Sequence, residues 1–548
     1  MDLRKPIGNL LRRTGAVLLG AVMLLGLAGC GGDDGPEPVS LREEGPAFTV
    51  SVAMTPDSMN PMVSSGGIAE EFFLLCYDPL WRINAQGLPE SCLAEDWSLS
   101  SDRLTWTIRL RRDAVFSDGV PVTSRDVMFS YDLMRRNKTV YSDYFDGVTA
   151  IRCPDDYTVV ISTEYVKGDM LYNPTPVLPK HIWQDYEFDP ASFDNAAMIG
   201  SGPFVYDTER SGEDGWYFRS REEYFAGAPK IAEIFFCRYG TVTGAARAVS
   251  AGEADASFGL SDVQLTTLES VPGVELIQAM LPGAECRMLV LNTRSDFFKH
   301  DGLRQMAEYC TDREWFLSMS SGGAGMTGSS FMSPGLEAFA QPGGLRSFDQ
   351  QRASEYLAAA SYKDVDEDGI LEYGTREKKL TLTLYTSSQD DWASTAATIF
   401  TEDMLEIGVQ VNWYKTDKAV ADVCKANSDW DMCFYTSRGG MSASVSAARF
   451  KNGAMKLSGW EDQGFDSILV ALSSAEDTAT EQSYARQLQQ LVYDACPVVV
   501  LSYGADIQAI RSDLWTGFED QLSGSGLFNN GSIAVFMNAE PRAEDAAE

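Results

Sequence analysis

Hydrophobic and polar residues alternate along several segments of the chain, which is the pattern of a strand with one buried face. In residues 104–110, written LTWTIRL, apolar side chains occupy every second position, and Thr or Arg occupies the positions between them. Residues 380–385 repeat this alternation, and residues 409–414 form a third segment of the same character. Each of the three segments is therefore predicted to be a strand.

A helical pattern lies between the second and third of these strands. Residues 392–407 are predicted to form a helix that ends at Gly408, because Gly favours C-terminal caps. The order strand, helix, strand predicts a βαβ unit. Upstream, Asp349 is a candidate N-cap. The helix after it repeats apolar residues at i, i+3, i+4 and i+7, namely Ala353, Tyr356, Leu357 and Ala360. The patterning favours a mixed α/β fold.

The N-terminal residues have the features of a lipoprotein signal peptide, predicted at 1–29. Positive residues come first and twelve mostly apolar residues follow at 16–27, too few to span a membrane as a helix. The segment ends in Leu-Ala-Gly-Cys, which resembles the bacterial lipobox and implies that the Cys30 thiol carries a diacylglycerol anchor. An ordinary secretory signal with a coincidental Cys is the alternative. Residues 30–46 begin with a stretch rich in Gly, Asp and Pro and are expected to be a flexible tether.

Charge and residue usage narrow the classes of function. The chain has 44 Lys and Arg against 79 Asp and Glu, a net charge of −35, and lacks a basic cluster, which argues against nucleic acid as a partner. The acidity is expected to keep an extracellular protein soluble and monomeric. Only two histidines occur, His181 and His300. The sequence therefore offers few residues for a multi-histidine metal site or a catalytic triad that uses His. The other nine cysteines are scattered, and most are expected to be buried small apolar residues.

Short sequence blocks in an unbroken order resemble one protein family. In the first part of the chain they are YDPLWR at 77–82, LAEDW at 93–97, LTWTIRL at 104–110, VFSDG at 115–119 and PVTSRDV at 121–127. Further blocks are GSGPF at 200–204, YFAGAP at 224–229, AGEAD at 251–255, LNT at 291–293, LRQ at 303–305 and DR at 312–313. Together they resemble the family 5 solute-binding proteins of ABC importers, the peptide, dipeptide and nickel class. The resemblance covers nearly all of residues 47–540.

The resemblance implies an α/β fold that is bilobed and periplasmic-binding-protein-like, of type II and similar to cluster C, with an additional inserted domain. The first lobe is expected to combine residues 47–77, 200–286 and 500–540, with the inserted domain at 78–199. The second lobe is expected at residues 287–499, and a disordered tail at residues 541–548. The two lobes would close over a ligand, as in other hinged binding proteins.

The function implied by this resemblance is that of a lipid-anchored receptor on the extracytoplasmic face of the cell membrane. It would capture a small, peptide-like solute and deliver it to the permease and ATPase subunits of an ABC importer. The sequence contains no Gly-x-Ser-x-Gly, His-Glu-x-x-His or phosphate-binding Gly-rich motif, in agreement with a protein that is not an enzyme. A sensory or adhesive cell-surface module with the same fold is the alternative function. A secreted hydrolase is a third hypothesis, but the sequence offers no credible pair of nucleophile and base for it.

Candidate ligand-binding residues lie where the family has its cleft loops. From the first loop they are Ser65, Gly66 and Gly67, and from the inserted domain Tyr144, with Tyr141 beside it. The three small residues would let a ligand approach the backbone, or they simply turn the chain into a helix beginning near Ala69. The tyrosines either reach the cleft, as in relatives, or are exposed loop residues.

A second group of candidates ends an apolar strand: Tyr435, Thr436, Ser437 and Arg438. In peptide-binding relatives this segment carries an Asp for the ligand's α-ammonium, whereas Gly440 takes the corresponding place here. If Arg438 faces the cleft, its planar donor group suits a carboxylate or phosphate; if it faces water, it is a solubilising charge. Thr436 and Ser437 would hydrogen-bond the ligand or cap the strand. Trp392 would stack on the ligand or anchor its own helix.

Residues 364–369 have the spacing of a calcium loop. Asp364, Asp366 and Asp368 alternate with other residues before Gly369, which places three carboxylates around a tight turn. Position twelve of such a loop is Thr375, in place of the usual bidentate Glu. The motif predicts a structural calcium site with an incomplete ligand set, and a solvated turn rich in Asp and Gly is the alternative. No other cofactor is expected.

Overall fold

The computed structural model describes residues 36–543 apart from 65, 85–87, 322, 344–345, 375–377, 389, 476, 523–525 and 529–530. The described residues from Glu37 onward belong to one compact unit. The predicted signal peptide, Cys30, Ser65 and Thr375 lie outside the described residues. Among the described helices, none is both long enough and apolar enough to cross a bilayer.

The strands of the described residues are, in chain order, β1 (Ala47–Val52), β2 (Trp81–Ile83), β3 (Pro89–Ser91), β4 (Ala94–Leu99), β5 (Thr105–Leu110), β6 (Val148–Asp155), β7 (Thr158–Thr163), β8 (Phe204–Gly212), β9 (Gly215–Ser220), β10 (Glu233–Arg238), β11 (Ala256–Leu260), β12 (Val274–Ala279), β13 (Glu285–Leu291), β14 (Met326–Thr327), β15 (Tyr362–Lys363), β16 (Glu372–Tyr373), β17 (Thr381–Ser387), β18 (Gln410–Thr416), β19 (Met432–Arg438), β20 (Val498–Tyr503), β21 (Asp506–Arg511), β22 (Trp515–Thr516) and β23 (Glu540–Pro541).

The α-helices of the same residues are α1 (Ile68–Cys76), α2 (Ser124–Arg136), α3 (Lys180–Trp183), α4 (Val242–Ala251), α5 (Asp262–Leu268), α6 (Asp301–Tyr309), α7 (Arg313–Ser321), α8 (Gln350–Ala359), α9 (Asp391–Glu406), α10 (Val420–Ala426), α11 (Ala443–Phe450), α12 (Lys456–Ser458), α13 (Gln463–Ser473), α14 (Thr478–Ala495) and α15 (Ala534–Asn538). A π-helical turn, Lys451–Met455, joins α11 to α12.

The first lobe is built on a seven-stranded mixed sheet with the order β12-β21-β11-β1-β10-β9-β8. β1 lies in its middle and pairs in parallel with both β10 and β11. Helix α1 packs on this sheet, where the Phe72 ring lies 4.9 Å from the Phe218 ring and 5.0 Å from the Phe236 ring. All three rings are fully buried, so this aromatic cluster holds α1 against the sheet.

The inserted domain follows α1 and contains the antiparallel sheet β4-β5-β7-β6. β5 covers the alternating segment predicted at residues 104–110. Its Trp106, Ile108 and Leu110 side chains are buried, while the residues between them are partly or fully exposed. The predicted strand and its buried face are therefore confirmed.

A buried polar group joins the inserted domain to the first lobe. Asp78 Oδ1 accepts hydrogen bonds from Arg82 Nη2 and from the Tyr224 hydroxyl, each at 2.7 Å. Asp78 is completely buried, and the other two side chains are nearly so. Because a buried carboxylate is costly without partners, these three residues fix the inserted domain on the lobe.

The second lobe contains a six-stranded sheet with the order β14-β20-β13-β19-β17-β18. β17 pairs in parallel with both β18 and β19, and α9 connects β17 to β18, so the predicted βαβ unit is confirmed. Gly408 follows α9 with a φ of 82°, in the left-handed region that glycine adopts easily. The predicted N-cap of α8 at Asp349 is also confirmed. The Asp349 side chain accepts a hydrogen bond from the Arg352 backbone N–H in the first turn of that helix.

The chain passes between the two large sheets at residues 280–284 and 504–505. The two crossings are adjacent, since the Gly504 N–H donates to the Glu285 carbonyl at 2.9 Å. The expected boundaries after residues 286 and 499 are therefore wrong by a few residues. They would divide β13 and β20, whose ladder hydrogen bonds place each strand entirely in the second lobe.

Both expected terminal segments are too long. Within the expected tether, the Val39 N–H donates to the Ser117 carbonyl at 3.1 Å and the Arg42 N–H to the Ser220 carbonyl at 2.9 Å. At the other end, Pro541 belongs to β23, and the Arg542 N–H donates to the Leu514 carbonyl at 2.8 Å. These backbone hydrogen bonds attach part of each terminal segment to the folded domain. Composition alone did not indicate them.

The nine cysteines of the described residues are all free, and seven of them are buried. Burial raises the pKa of thiols such as Cys286 and Cys310, because a thiolate is poorly solvated there. They act as small apolar core residues, as predicted.

Candidate ligand-binding cleft

The candidate site lies where the parallel strands of each lobe end. In open α/β sheets, ligands bind outside the carboxyl ends of the strands. In the first lobe, β1 ends at Val52 and residues 53–67 lead into α1. In the second lobe, β17, β18 and β19 run in parallel and end at one edge of their sheet. We call the space between residues 53–76, 140–144 and 438–449 the cleft.

Charged groups show that the two lobes face each other across this cleft. Glu70, in the first turn of α1, lies within electrostatic range of Arg438 and Arg449 of the second lobe. Desolvation by the surrounding protein raises the pKa of Glu70, although the two guanidinium groups oppose the shift. Its side chain nevertheless remains solvent-exposed. A carboxylate that is enclosed yet reached by water is what a ligand-binding crevice between two lobes provides.

Arg449 connects the second lobe to the inserted domain. Its Nε lies 3.0 Å from Asp143 Oδ2, and its Nη2 donates to the Val140 carbonyl at 3.4 Å. Its Nη1 donates to the Gly439 carbonyl at 2.6 Å, within its own lobe. The planar guanidinium thus holds three acceptors from two domains at once.

Tyr144 makes a second connection between these domains, because its hydroxyl accepts a hydrogen bond from the Met441 N–H at 3.4 Å. The pKa of Tyr144 is raised to about 12, mainly by burial, with smaller contributions from Asp169 and Glu70 and an opposing effect of Arg449. Burial and Glu70 also raise the pKa of Tyr141. Both phenols are therefore neutral at physiological pH. The structure brings them to the cleft, and their contact with a ligand stays a prediction.

A cavity of about 210 Å³ is lined in part by Met441, the residue whose N–H contacts Tyr144, and by the next two residues of the chain. The inserted domain, the first crossing and the second lobe all contribute to its wall, with residues that include Leu88, Tyr172, Pro282, Glu337, Met441 and Glu481. Burial raises the pKa of Glu481, and the neighbouring carboxylates of Glu337 and Asp169 raise it further. Burial likewise raises the pKa of Tyr172 to about 12. The cavity is thus lined by apolar groups with two carboxylates, a combination that suits an amphiphilic cation.

The four residues predicted at the end of β19 do not form one ligand-binding surface. Successive side chains of a strand point to opposite faces, and β19 remains a strand through Arg438. Thr436 and Arg438 lie opposite Arg287 and Glu285 on one face. On the other face, Tyr435 lies opposite the buried Met288, and Ser437 lies opposite the buried Cys286. The four residues are therefore divided between two faces, and the contact of any of them with a ligand stays a prediction.

Arg438 is both ion-paired and accessible. Its Nη2 lies 3.0 Å from Glu285 Oε1, and its side chain is 67% exposed. Because an exposed pair of this kind is weak, the guanidinium is free to exchange Glu285 for an anionic group of a ligand. Its electrostatic contact with Glu70 places it at the cleft.

Trp392 packs into the second lobe. Its ring lies 6.0 Å from the Phe316 ring and 5.8 Å from the Phe434 ring, while the Arg287 guanidinium lies 5.6 Å from its centre. These contacts favour the interpretation that Trp392 anchors α9 to the core over the interpretation that it stacks on a ligand.

Gly66 and Gly67 have φ values of 114° and 71°, which non-glycine residues rarely adopt. A Cβ atom at Gly66 would lie 3.0 Å from Glu70 Oε1, whereas a Cβ at Gly67 would meet open space. The glycines are therefore needed for the turn into α1, and they also keep the space around Glu70 open. Both interpretations of this loop are compatible with the structure.

Sequence reasoning missed Glu70 and Arg449. Glu70 has the pattern of an ordinary acidic residue in the first turn of a helix, and Arg449 has that of a basic residue in the last turn of α11. Both patterns are common features of helix ends, so no local signal distinguishes these two residues. Their importance follows only from the packing of the domains.

The fold and the site define the class of the protein: a bilobed binding protein with an accessible cleft between its lobes. The model of the family described as bacterial extracellular solute-binding proteins, family 5 Middle, matches residues 89–450. The chain belongs to this family.

Among curated relatives, the oligopeptide-binding protein AppA of Bacillus subtilis (strain 168) is 22% identical over 73% of this chain and 76% of its own length. An oligopeptide-binding protein of Thermotoga maritima is a similar solved structure, with a TM-score of 0.75, 19% identity and coverage of 91% of this chain and 100% of its own. NikZ of Campylobacter jejuni, in complex with Ni(L-His), has a TM-score of 0.69 at 19% identity, covering 90% of this chain and 99% of its own. These structures share the fold.

Proposed function

We propose that this protein is a lipid-anchored receptor on the extracytoplasmic face of the membrane, which captures a peptide-like solute and delivers it to an ABC importer. The observation that carries the proposal is that opposite charges from the two lobes lie within electrostatic range of each other at the cleft. Glu70 is contributed by one lobe, and Arg438 and Arg449 are contributed by the other. A solute bound between them would be held by both lobes, so binding would favour the closed arrangement.

The chemistry of the cleft suits a solute that carries both an ammonium and a carboxylate group. Arg438 offers a forked donor to a carboxylate. Glu70 offers a carboxylate to an ammonium group, as do Glu337 and Glu481 in the adjoining cavity. These groups would replace the Asp that peptide-binding relatives carry where this chain has Gly440. The relative AppA is named for oligopeptide binding, which supports a peptide-like solute.

Nickel chelates have less support, although NikZ was solved with Ni(L-His). His181 Nε2 lies 2.7 Å from Asp118 Oδ2 within the inserted domain, and His300 precedes α6 in the second lobe. Neither histidine belongs to the cleft as defined by its residues.

Transport requires no covalent step from this chain. The residues at the two crossings, 280–284 and 504–505, are few enough to act as a hinge. Arg449 and Tyr144 would hold the inserted domain against the second lobe in the closed arrangement. A membrane permease would then recognise that arrangement, and ATP hydrolysis would belong to a separate subunit.

The test of solute binding has two steps. Native mass spectrometry of the freshly purified protein should detect a co-purified small molecule. Thermal unfolding with peptide mixtures of two to nine residues should then show stabilisation, about 2.7 kcal/mol at a concentration of 100 Kd. The Glu70→Gln variant should lose most of this stabilisation, whereas Glu355→Gln, at an exposed position of α8, should retain it. Full stabilisation of the Glu70→Gln variant would contradict the cleft assignment.

Anchoring and transport are tested in the cell. The wild-type protein should fractionate with membranes and incorporate labelled palmitate, whereas a Cys30→Ser variant should do neither. Solute uptake should require this protein together with a permease and an ATPase. Solute binding without uptake would favour the sensory or adhesive module instead.

A further inference from the structure

We propose that the loop between β15 and β16 binds a calcium ion, with Asp364, Asp366 and Glu372 as its carboxylate ligands. This site is separate from the proposed function, because it lies in a small two-stranded sheet of the second lobe. One carboxylate oxygen from each of the three residues lies within 4.8 Å of the other two. Since calcium binds oxygen ligands at about 2.3–2.6 Å, two ligands of one ion lie at most about 5 Å apart, and the spacing fits.

Glu372 supplies an independent reason for a ligand at this position. Its side chain is only 1% exposed. Its Oε2 accepts a hydrogen bond from the Val365 N–H at 2.8 Å, but its Oε1 is buried without a hydrogen-bond partner among the described residues. A buried carboxylate oxygen without a partner carries a large desolvation cost. A cation held between Glu372 and the two aspartates would offset this cost.

The loop backbone is already arranged around its carboxylates. Asp364 accepts hydrogen bonds from the Asp368 N–H at 3.2 Å and the Gly369 N–H at 2.9 Å. Among the described residues, no Lys or Arg forms an ion pair with Asp364, Asp366 or Glu372. Within the described part of the chain, three carboxylates therefore meet without a positive partner.

The ligand set differs from the one that the sequence motif predicts. Asp368, the third expected ligand, is ion-paired with Lys379 and accepts a hydrogen bond from the Ile370 N–H at 3.1 Å. Glu372 takes its place. It stands at position nine of the motif, and it also supplies a carboxylate that the Thr375 position cannot. The sequence spacing did not indicate this substitution, because the turn folds Glu372 back beneath the loop.

The all-oxygen donor set selects the kind of metal. Carboxylates favour hard cations, whereas zinc and copper sites usually include His or Cys. Calcium tolerates the irregular geometry of an exposed loop better than magnesium, which requires near-octahedral ligands at about 2.0–2.1 Å. With three carboxylates, two of them on solvent-exposed aspartates, the expected Kd is about 0.1–1 mM, as in extracellular calcium modules.

The bound ion would stabilise the second lobe. The loop ends at Leu371, whose N–H donates to the Gly408 carbonyl at 2.8 Å and whose carbonyl accepts from the Leu380 N–H at 2.6 Å. Calcium would therefore stabilise the segment that connects α8 to the βαβ unit.

The experiment compares the purified protein in EGTA, in 10 mM CaCl2 and in 10 mM MgCl2. Calcium should raise the unfolding temperature by about 1–3 °C, and magnesium should raise it clearly less. Terbium should give tyrosine-sensitised luminescence that calcium displaces, because Tyr373 is adjacent to Glu372 and its ring lies 5.3 Å from the Tyr362 ring.

Variants separate a calcium site from a merely structural loop. Asp364→Asn and Glu372→Gln should abolish the calcium-dependent shift and the terbium signal. The control Asp422→Asn should retain both, since Asp422 is 74% exposed on α10. In EGTA, Glu372→Gln should unfold at the same or a higher temperature than the wild type, because an uncompensated buried charge is removed. The absence of a calcium-dependent shift in the wild type, or an equal shift in the Asp364→Asn and Glu372→Gln variants, would overturn the proposal.

Discussion

At the scale of single residues, the cleft depends on charges whose partners are remote in sequence. Glu70 was not a candidate from sequence, yet it is enclosed by protein and faces Arg438 and Arg449. Tyr144 was a candidate, and the structure brings it against Met441. The difference has a physical cause. Tyr144 lies in a loop that the family resemblance had already placed near the cleft, whereas the position of Glu70 depends on how α1 packs.

Asp403 provides a test of electrostatics within one helix. Its side chain is partly buried in α9, and its Oδ2 has no hydrogen-bond partner among the described residues. Its pKa is raised to about 6, mainly by burial and also by the neighbouring carboxylates of Asp312, Glu406 and Glu402. The folded protein therefore binds a proton that the unfolded chain, with a pKa of about 3.9, has already lost. The ionised Asp403 destabilises the fold progressively as pH rises from about 4 to above 6.

We expect Asp403→Asn to raise the free energy of unfolding at pH 7.5 by about 1–2 kcal/mol, after allowance for partial exposure. The gain should largely disappear near pH 4, where the folded wild-type carboxyl is protonated and the unfolded one is only about half ionised. Urea unfolding at the two pH values measures both quantities. A gain of equal size at pH 4 would mean that the substitution acts through packing and not through charge.

At the scale of elements, periodicity predicted the strands and helices of the βαβ unit well. β17, α9 and β18 were expected at 380–385, 392–407 and 409–414, and they occur within a few residues of those bounds. These elements are encoded locally, since each presents its apolar residues at the period of its own geometry. The candidates at residues 435–438 were placed at the end of an apolar strand, and β19 continues through Arg438 with side chains that alternate between its two faces.

Gly408, at the end of α9, allows a prediction at this scale. Its φ of 82° disfavours any other residue, and a Cβ there would lie 2.8 Å from Leu371 Cγ and 3.2 Å from the Gly369 carbonyl oxygen. We expect Gly408→Ala to lower the free energy of unfolding by about 2–3 kcal/mol, from left-handed strain plus the steric contact. Gly240→Ala is the matched control, since Gly240 has a φ of 67° and open space around it.

The control should cost only the strain, about 1 kcal/mol. Chemical denaturation of both variants provides the comparison. Equal losses in the two variants would indicate that Leu371 moves aside and that the contact at Gly408 adds nothing.

At the scale of the whole molecule, binding depends on how the domains are held together. Asp78 joins the inserted domain to the first lobe through buried hydrogen bonds. Arg449 joins the same domain to the second lobe through more exposed ones. The inserted domain is thus firmly attached to one lobe and weakly to the other. We infer that the Arg449 contact opens and closes with the cleft.

We expect Arg449→Lys to weaken solute binding about tenfold, a loss of about 1.4 kcal/mol, because an ammonium group cannot contact Asp143, Val140 and Gly439 together. Calorimetric titration with a solute identified by native mass spectrometry measures the change. Arg136→Lys is the control, since Arg136 pairs with Glu187 inside the inserted domain at 3.0 Å. A tenfold loss in the control as well would show that the effect is not specific to the contact between the domains.

The sequence by itself predicted many of the elements and the family. Periods of two and about four residues, caps such as Asp349, and the order of short motifs are all properties of neighbouring positions. The scarcity of histidine and the excess of acidic residues are properties of composition. None of these depends on how distant segments meet, so all were accessible before the fold was known.

Only the tertiary structure decided which groups share a site. The meeting of Glu70 with Arg438, the contact of Arg449 with Asp143, and the turn of Glu372 beneath the calcium loop each follow from the order of strands in the sheets and from the path of the loops. Such contacts join positions that are not periodic neighbours, and they are selected by the packing of whole domains. For that reason the cleft, the hinge and the ligands of the proposed metal site belong to the fold and not to any local pattern.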